Sequence, residues 1–145
     1  MNDERLALVA DRLEIRELLD RYSHAIDFMD WTLLETVFAP DAQVDFSDVG
    51  DWYLKGQPVR AEGYTAIREF YATVVPGVYG ALHFMTNHLI DVVGDVATTR
   101  TYMHGLGDSI SALYLGEIVR TATGWRIRNW RYVVHMPGRT TTRSW

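Results

Sequence analysis

The spacing of apolar residues changes once along this chain, near Gly80, from intervals of three and four to strict alternation, and that change limits what the chain can fold into. Ahead of it, Leu6, Val9, Leu13, Leu18, Leu19, Tyr22 and Ile26 recur at helical spacing between charges, which predicts an amphipathic helix over residues 6–26. Asp30 is placed to cap a shorter helix over residues 31–38, which Pro40 and Asp41 end. Ala42, Val44 and Phe46 alternate with polar residues as a half-buried strand does. Residues 48–62 hold Gly50, Gly56, Pro58 and several charges around Trp52, Tyr53 and Leu54, and read as a long loop. A third helix over residues 64–74 carries Ile67, Phe70, Tyr71 and Val74 on one stripe and stops at Pro76 and Gly77. After Gly80 the sequence predicts strands over residues 82–93, 96–104, 112–120 and 125–134. Helices first and antiparallel strands last make an α+β pattern, with one twisted sheet packed on the first helix. A sheet curved around a helix leaves a pocket.

With 145 residues and 48% apolar content, the chain fits one domain, taken as residues 1–138, followed by a polar tail at 139–145. There is no cysteine, so disulfides and thiolate metal sites are excluded. The opening residues are charged and lack the apolar core of a signal peptide, which points to the cytoplasm. A net charge of −5 argues against a nucleic-acid partner, whose recognition needs a clustered basic face. The densest basic stretch, Arg126, Arg128 and Arg131, lies in a predicted strand. Alternation puts the first two on a solvated face and Arg131 on the other.

Strand register gathers a candidate site. If Gly94 and Asp95 form a two-residue hairpin turn, an unbroken ladder sets Met85 opposite His104 and Asn87 opposite Tyr102. His83 shares their face. So polar and aromatic a set is costly in a dry core unless every group has a partner. If Arg120 faces Trp125, Asn129 meets Gly116, where a missing side chain leaves room for a ligand, and Arg131 meets Tyr114.

Taken singly, these residues decide little. A histidine at a strand end such as His83 is more often satisfied by hydrogen bonds than catalytic, and Asp27 at a helix end is more often simply solvated. Tyr22, on the buried stripe, suits plain core as well as chemistry. Five residues turn a helix by about 500°, so Tyr22 and Asp27 reach one pocket only if the helix end loosens. His88, Asp91 and His104 lack metal-ligand spacing, and no metal is expected. Neither a nucleophilic serine elbow nor a phosphate loop is present.

Over nearly its whole length the sequence resembles the SnoaL-like branch of the nuclear-transport-factor-like superfamily. The resemblance is carried by Ile15-x-x-Leu18-Leu19-x-x-Tyr22 leading to Asp27, by residues 38–42, by Gly63-x-x-x-Ile67-x-x-Phe70, by His83-x-x-x-Asn87, by Gly94-Asp95-x-Ala97 and by residues 124–127. It implies a cone-shaped α+β barrel, a curved antiparallel or mixed sheet wrapped around the N-terminal helices with an internal pocket. Tyr22, Asp27 and His83 are similar to the arrangement of bile-acid 7α-dehydratases. Asp27 with His83 also matches the dyad of hexachlorocyclohexane dehydrochlorinases, and scytalone dehydratases add a second pocket histidine that His104 matches. The resemblance therefore implies a cofactor-independent lyase, a dehydratase acting on an apolar polycyclic or aromatic molecule of steroid or polyketide type. His83 would be general base, Asp27 its orienting partner, and Tyr22 and His104 further catalytic groups. Trp52, Tyr53, Met85, Asn87, Tyr102, Asn129 and Arg131 would line the substrate, with Leu54 in the lid. An isomerase or polyketide cyclase using the same dyad, or a non-catalytic binding protein, stays open. The resemblance also implies a homo-oligomer, a trimer before a dimer, through outward Phe84, Ile90, Trp130 and Tyr132, with no membrane partner.

Overall fold

The computed structural model describes residues 2–49, 54, 56, 59–78, 82–106 and 111–135. Helix α1 spans Asp3–Asp27; the Asn2 side chain accepts from the Arg5 amide, and Asp3 and Glu4 sit in the favourable first turn. Its buried face is built from Ile15, Leu18, Leu19, Tyr22, Ala25 and Ile26. The expected stripe does not extend to the N-terminus: Leu6, Val9 and Leu13 are 49%, 46% and 62% exposed. Leu13 and Ile15 are about 200° apart around the helix. The two apolar sets therefore cannot share a core.

Two amide contacts close α1. Asp30 donates to the Ala25 carbonyl at 2.9 Å and Met29 to that of Ile26 at 3.2 Å, with Met29 in the left-handed region at φ 52°. This is a Schellman motif, so the helix stays wound to Asp27 and does not loosen. Asp30 then caps α2, Trp31–Glu35, accepting from the Leu33 amide at 2.9 Å. Helix α2 ends earlier than expected because the chain enters β1, Phe38–Asp45. Pro40 and Asp41 fall inside that strand, between Phe38 and Gln43, where its ladder with β6 is irregular and a missing proline N–H costs least.

The loop expected over residues 48–62 ends in a strand, β2, Arg60–Glu62, paired with β1. Leu54 is 3% exposed and belongs to the core rather than to a lid. Trp52, Tyr53 and the tail at 139–145 lie outside the described residues. Helix α3, Tyr64–Val74, packs Ile67, Phe70 and Tyr71 inward. Strands β3, Leu82–Val93, β4, Val96–Leu106, β5, Ser111–Thr121, and β6, Gly124–His135, complete a six-stranded sheet in the order β2-β1-β6-β5-β4-β3. Every neighbouring pair is antiparallel except β1 with β6. The sheet is mixed, curved and unclosed, with the N-terminal helices against its inner face.

Both hairpins start in the expected register, Val93 opposite Val96 and Arg120 opposite Trp125. Each then slips by one. In β3, Asn87 and His88 together oppose Thr101, so Thr86 meets Tyr102 and Phe84 meets His104. In β6, Arg128 is the extra residue, so Glu117 meets Asn129 and Gly116 meets Trp130. A one-residue slip sends every later side chain to the opposite face. His104 and Tyr102 therefore point outward, away from His83, and Arg131 joins Arg126 and Arg128 on the outer face instead of opposing them. Trp130 and Tyr132, expected outside, are 1% and 5% exposed in the core, and Ile90 also faces inward, which leaves Phe84 of the proposed outward set.

At the base, the Arg120 guanidinium binds Asp11 at 2.8 Å and Asp95 at 2.9 Å and lies 4.4 Å from the centre of the Trp125 ring. Trp125 Nε1 donates to the other Asp11 oxygen at 3.1 Å. This cluster ties α1 to the sheet, and the hydrogen bond from Arg120 holds the Asp11 carboxyl below its usual range. Among the described residues, no helix is long and apolar enough to cross a membrane.

Gly116 receives the Trp130 indole: a Cβ there would lie 2.4 Å from Thr99 Oγ1 and 2.7 Å from Trp130 Cζ3. The space expected for a ligand is filled by protein. Gly116→Ala is expected to lower stability by about 1–3 kcal/mol through overpacking, read from urea denaturation.

Candidate active site

Asp27 is the last residue of α1, where the helix dipole disfavours a carboxylate. Two donors from the start of β3 compensate. Asp27 Oδ2 accepts the His83 backbone N–H at 3.0 Å, and Oδ1 lies 2.5 Å from His83 Nδ1. One oxygen thus fixes the strand and the other the ring. With Nδ1–H aimed at the carboxylate, the imidazole lone pair is on Nε2. The Asp27 side chain is 7% exposed and that of His83 17%, so the carboxylate is enclosed while the ring stays accessible.

Tyr22 lies deeper, and its hydroxyl is engaged elsewhere. It donates to Tyr114 Oη at 3.0 Å and lies 3.0 Å from Tyr71 Oη. Because a hydroxyl has one proton, Tyr71 must be the donor in the second contact. Tyr71 and Tyr114 each meet the Tyr22 ring edge to face, with Trp130 stacked on Tyr114 at 4.6 Å. Burial raises the Tyr22 hydroxyl above its ordinary range and pushes Tyr71 and Tyr114 well above theirs. The expectation that Tyr22 serves the dyad as a free donor is corrected: its proton is committed to Tyr114.

Met85 follows His83 on the inner face, 8% exposed, and meets Met103, 5% exposed, across the ladder. Asn87 sits in the bulge at φ 54° with its side chain exposed, and Asn129 donates to Glu117 on the outer face at 2.9 Å. The structure brings together Asp27, His83 and Met85. It separates from them His104, Tyr102, Asn87, Asn129 and Arg131. The unbroken register missed Met103 as the partner of Met85 and Tyr114 as the partner of Tyr22; the signal available was Asn87, a residue tolerant of the left-handed region inside a strand pattern. The bulge also turns His88 inward onto Thr101, at 3.1 Å, where burial and Arg16 lower its pKa. Among the described residues, no group of three or more His, Asp or Glu side chains is placed to hold a metal ion.

Two expectations follow. Nitrogen-15 NMR should show His83 as the Nδ1–H tautomer, and Asp27→Asn should shift it toward a mixture. The tyrosines ionise at lower pH in the unfolded chain than in the folded one. Their stabilising effect is therefore complete below pH ~10 and is lost as pH rises through the folded values, so Tyr71→Phe should flatten the alkaline limb of the stability curve.

A family model of the SnoaL-like domain matches residues 7–131. The uncharacterized protein Rv2910c of Mycobacterium tuberculosis is 34% identical over 131 residues, 84% of each chain. Among solved structures, an NTF2-like protein with a cystatin-like fold from Novosphingobium aromaticivorans is 24% identical, with a TM-score of 0.76, covering 94% of this chain and 89% of its own. Hexachlorocyclohexane dehydrochlorinase LinA-type3 from Novosphingobium barchaimii is 18% identical, with a TM-score of 0.76, covering 97% and 99%. At those identities the two structures speak for the fold.

Proposed function

The chain belongs to the SnoaL-like domain family, and from that footing we propose that it is a cofactor-independent lyase that removes water from an apolar small molecule by general base catalysis at His83. The observation that carries this reading is the twofold hold of Asp27 on His83, at the backbone amide and at Nδ1. A carboxylate used only for stability does not need an imidazole fixed at both its backbone amide and its ring. Here Nε2 takes a proton from the carbon next to a carbonyl or similar activating group, and Asp27 stabilises the imidazolium that forms. The electron pair left on carbon forms the new double bond as the β-hydroxyl departs. That hydroxide leaves as water with the proton returned from the imidazolium, so the products are the alkene and one water. The fold neighbours include a dehydrochlorinase, whose named chemistry is also an elimination.

Met85 and Met103 favour a flat apolar ligand, since their unbranched thioether chains adapt to a ring face. Tyr22, Tyr71 and Tyr114 supply a rigid floor and take no proton step. The test is incubation with hydroxy-ketone steroids or polyketides followed by mass spectrometry. A loss of 18 mass units is expected on the order of one water. His83→Ala and Asp27→Asn should each lower turnover by about 10²–10⁴-fold with substrate binding retained. A product of unchanged mass would assign isomerisation or cyclisation to the dyad, and variants with unaltered turnover would leave only a binding role.

A further inference from the structure

The first core residue of α1 is Ile15, although the helix begins at Asp3. Residues 2–10 are exposed throughout, and Leu6, Val9 and Leu13 form one apolar stripe that meets nothing. A turn of about 100° per residue fixes what borders this stripe. Arg5, Arg12 and Arg16 fall about 50–90° to one side of it, and Asp3, Glu14 and Glu17 about 50–110° to the other. All six are exposed, and among the described residues none of them forms an ion pair. Arg12 and Arg16 stand one turn apart on the same edge, a like-charge arrangement that costs stability. Asp11 points the opposite way and binds Arg120, so the sheet lies behind the stripe and leaves its front open.

We propose that this face of α1 is a self-association surface, on which the same face of a second copy packs with the two helices running parallel. Charge decides the orientation. Across an apolar seam, parallel helices set the basic edge of each against the acidic edge of the other, whereas antiparallel helices set like edges together. Leu6 and Leu13 occupy one seam position of a heptad and Val9 the other, so Arg12 comes beside Glu17 of the second copy. A two-fold axis makes that contact twice. Arg16 and Asp20 follow on the seam, where its apolar residues end, and confine the contact to the projecting part of α1. The two sheets then lie on opposite sides of the helix pair and do not meet. Three apolar residues make a patch well short of the ~1,200 Å² of a stable complex, so the dimer is weak and forms as concentration rises. Packing there holds the projecting turns helical, which a stretch this short does poorly alone in water.

The test is sedimentation equilibrium of the full-length protein over a range of concentrations, at low and high salt. The parent should associate reversibly, and more weakly at high salt. Leu13→Glu should abolish that step while circular dichroism shows an intact fold. Arg12→Glu and Glu17→Arg should each weaken it about tenfold, since like charges then meet twice per dimer. An equimolar mixture of these two variants should restore it, because unlike charges then meet at both contacts. The chain has no cysteine, so Leu6→Cys reads the orientation: a short bis-maleimide should link two copies through that position only if the helices are parallel. A parent that stays monomeric at every concentration would overturn the proposal. So would association unaffected by Leu13→Glu, a mixture no stronger than its components, or a monomeric parent that binds phosphatidylglycerol vesicles instead.

Discussion

One extra residue in each of two strands sets the arrangement of this molecule. Asn87 with His88 opposite Thr101, and Arg128 opposite no residue of β5, shift the later pairs by one and exchange the two faces of the sheet beyond them. Trp130 and Tyr132 become core in consequence, and the buried aromatic cluster around Tyr22 forms. Without the β6 bulge, Asn129 and Arg131 would enter that cluster as unpaired polar groups, at a cost of several kcal/mol each. The bulge instead sets Arg128 and Asn129 side by side outside, both donating to Glu117 at 2.8 and 2.9 Å. Bulges also bend the strands that carry them, which suits a sheet that must curve around α1.

The elements were legible in the sequence because their signals are local. Tyr64–Val74 and Leu82–Val93 match their expected spans, since apolar spacing and the flanking Gly63, Pro76, Gly94 and Asp95 act within a few residues. The contact between Asp27 and His83 was legible through resemblance alone; neither position carries a local mark, because the contact closes across 56 residues. The rest of the expected site failed for a single reason. Register was extended from correct hairpin turns through strands that each hold an inserted residue, and alternation cannot reveal an insertion when both faces carry aromatic and polar residues. Leu6, Val9 and Leu13 failed differently: they share a stripe with one another, but at about 100° per residue that stripe lies opposite Ile15, Leu18 and Tyr22 and faces away from the sheet.

The end of α1 shows how the site and the fold constrain each other. A carboxylate in the last turn of a helix is opposed by the carbonyl dipoles, and a left-handed Met29 costs on the order of 1 kcal/mol relative to glycine. Both costs fall where the helix must turn toward β3. The Schellman closure keeps Asp27 wound and therefore aimed, and the His83 amide supplies a donor that no side-chain rotation can withdraw. A looser end would relieve Met29 but let the carboxylate turn to solvent.

The division between the two faces of β4 follows from the same geometry. Met103 and Thr101 point inward, toward Met85 and His88, while Tyr102 and His104 point outward. Every second residue of one strand therefore serves a different environment, and a shift by one residue would place His104 inside and Met103 in water. One side of that ladder is anchored, because Tyr114, opposite Thr101 and Tyr132, cannot leave its place without breaking its bond to Tyr22. The Tyr22–Tyr114 contact thus acts at a distance. It fixes β5 against α1, and β4 takes its place on that strand with Met103 and Thr101 inward.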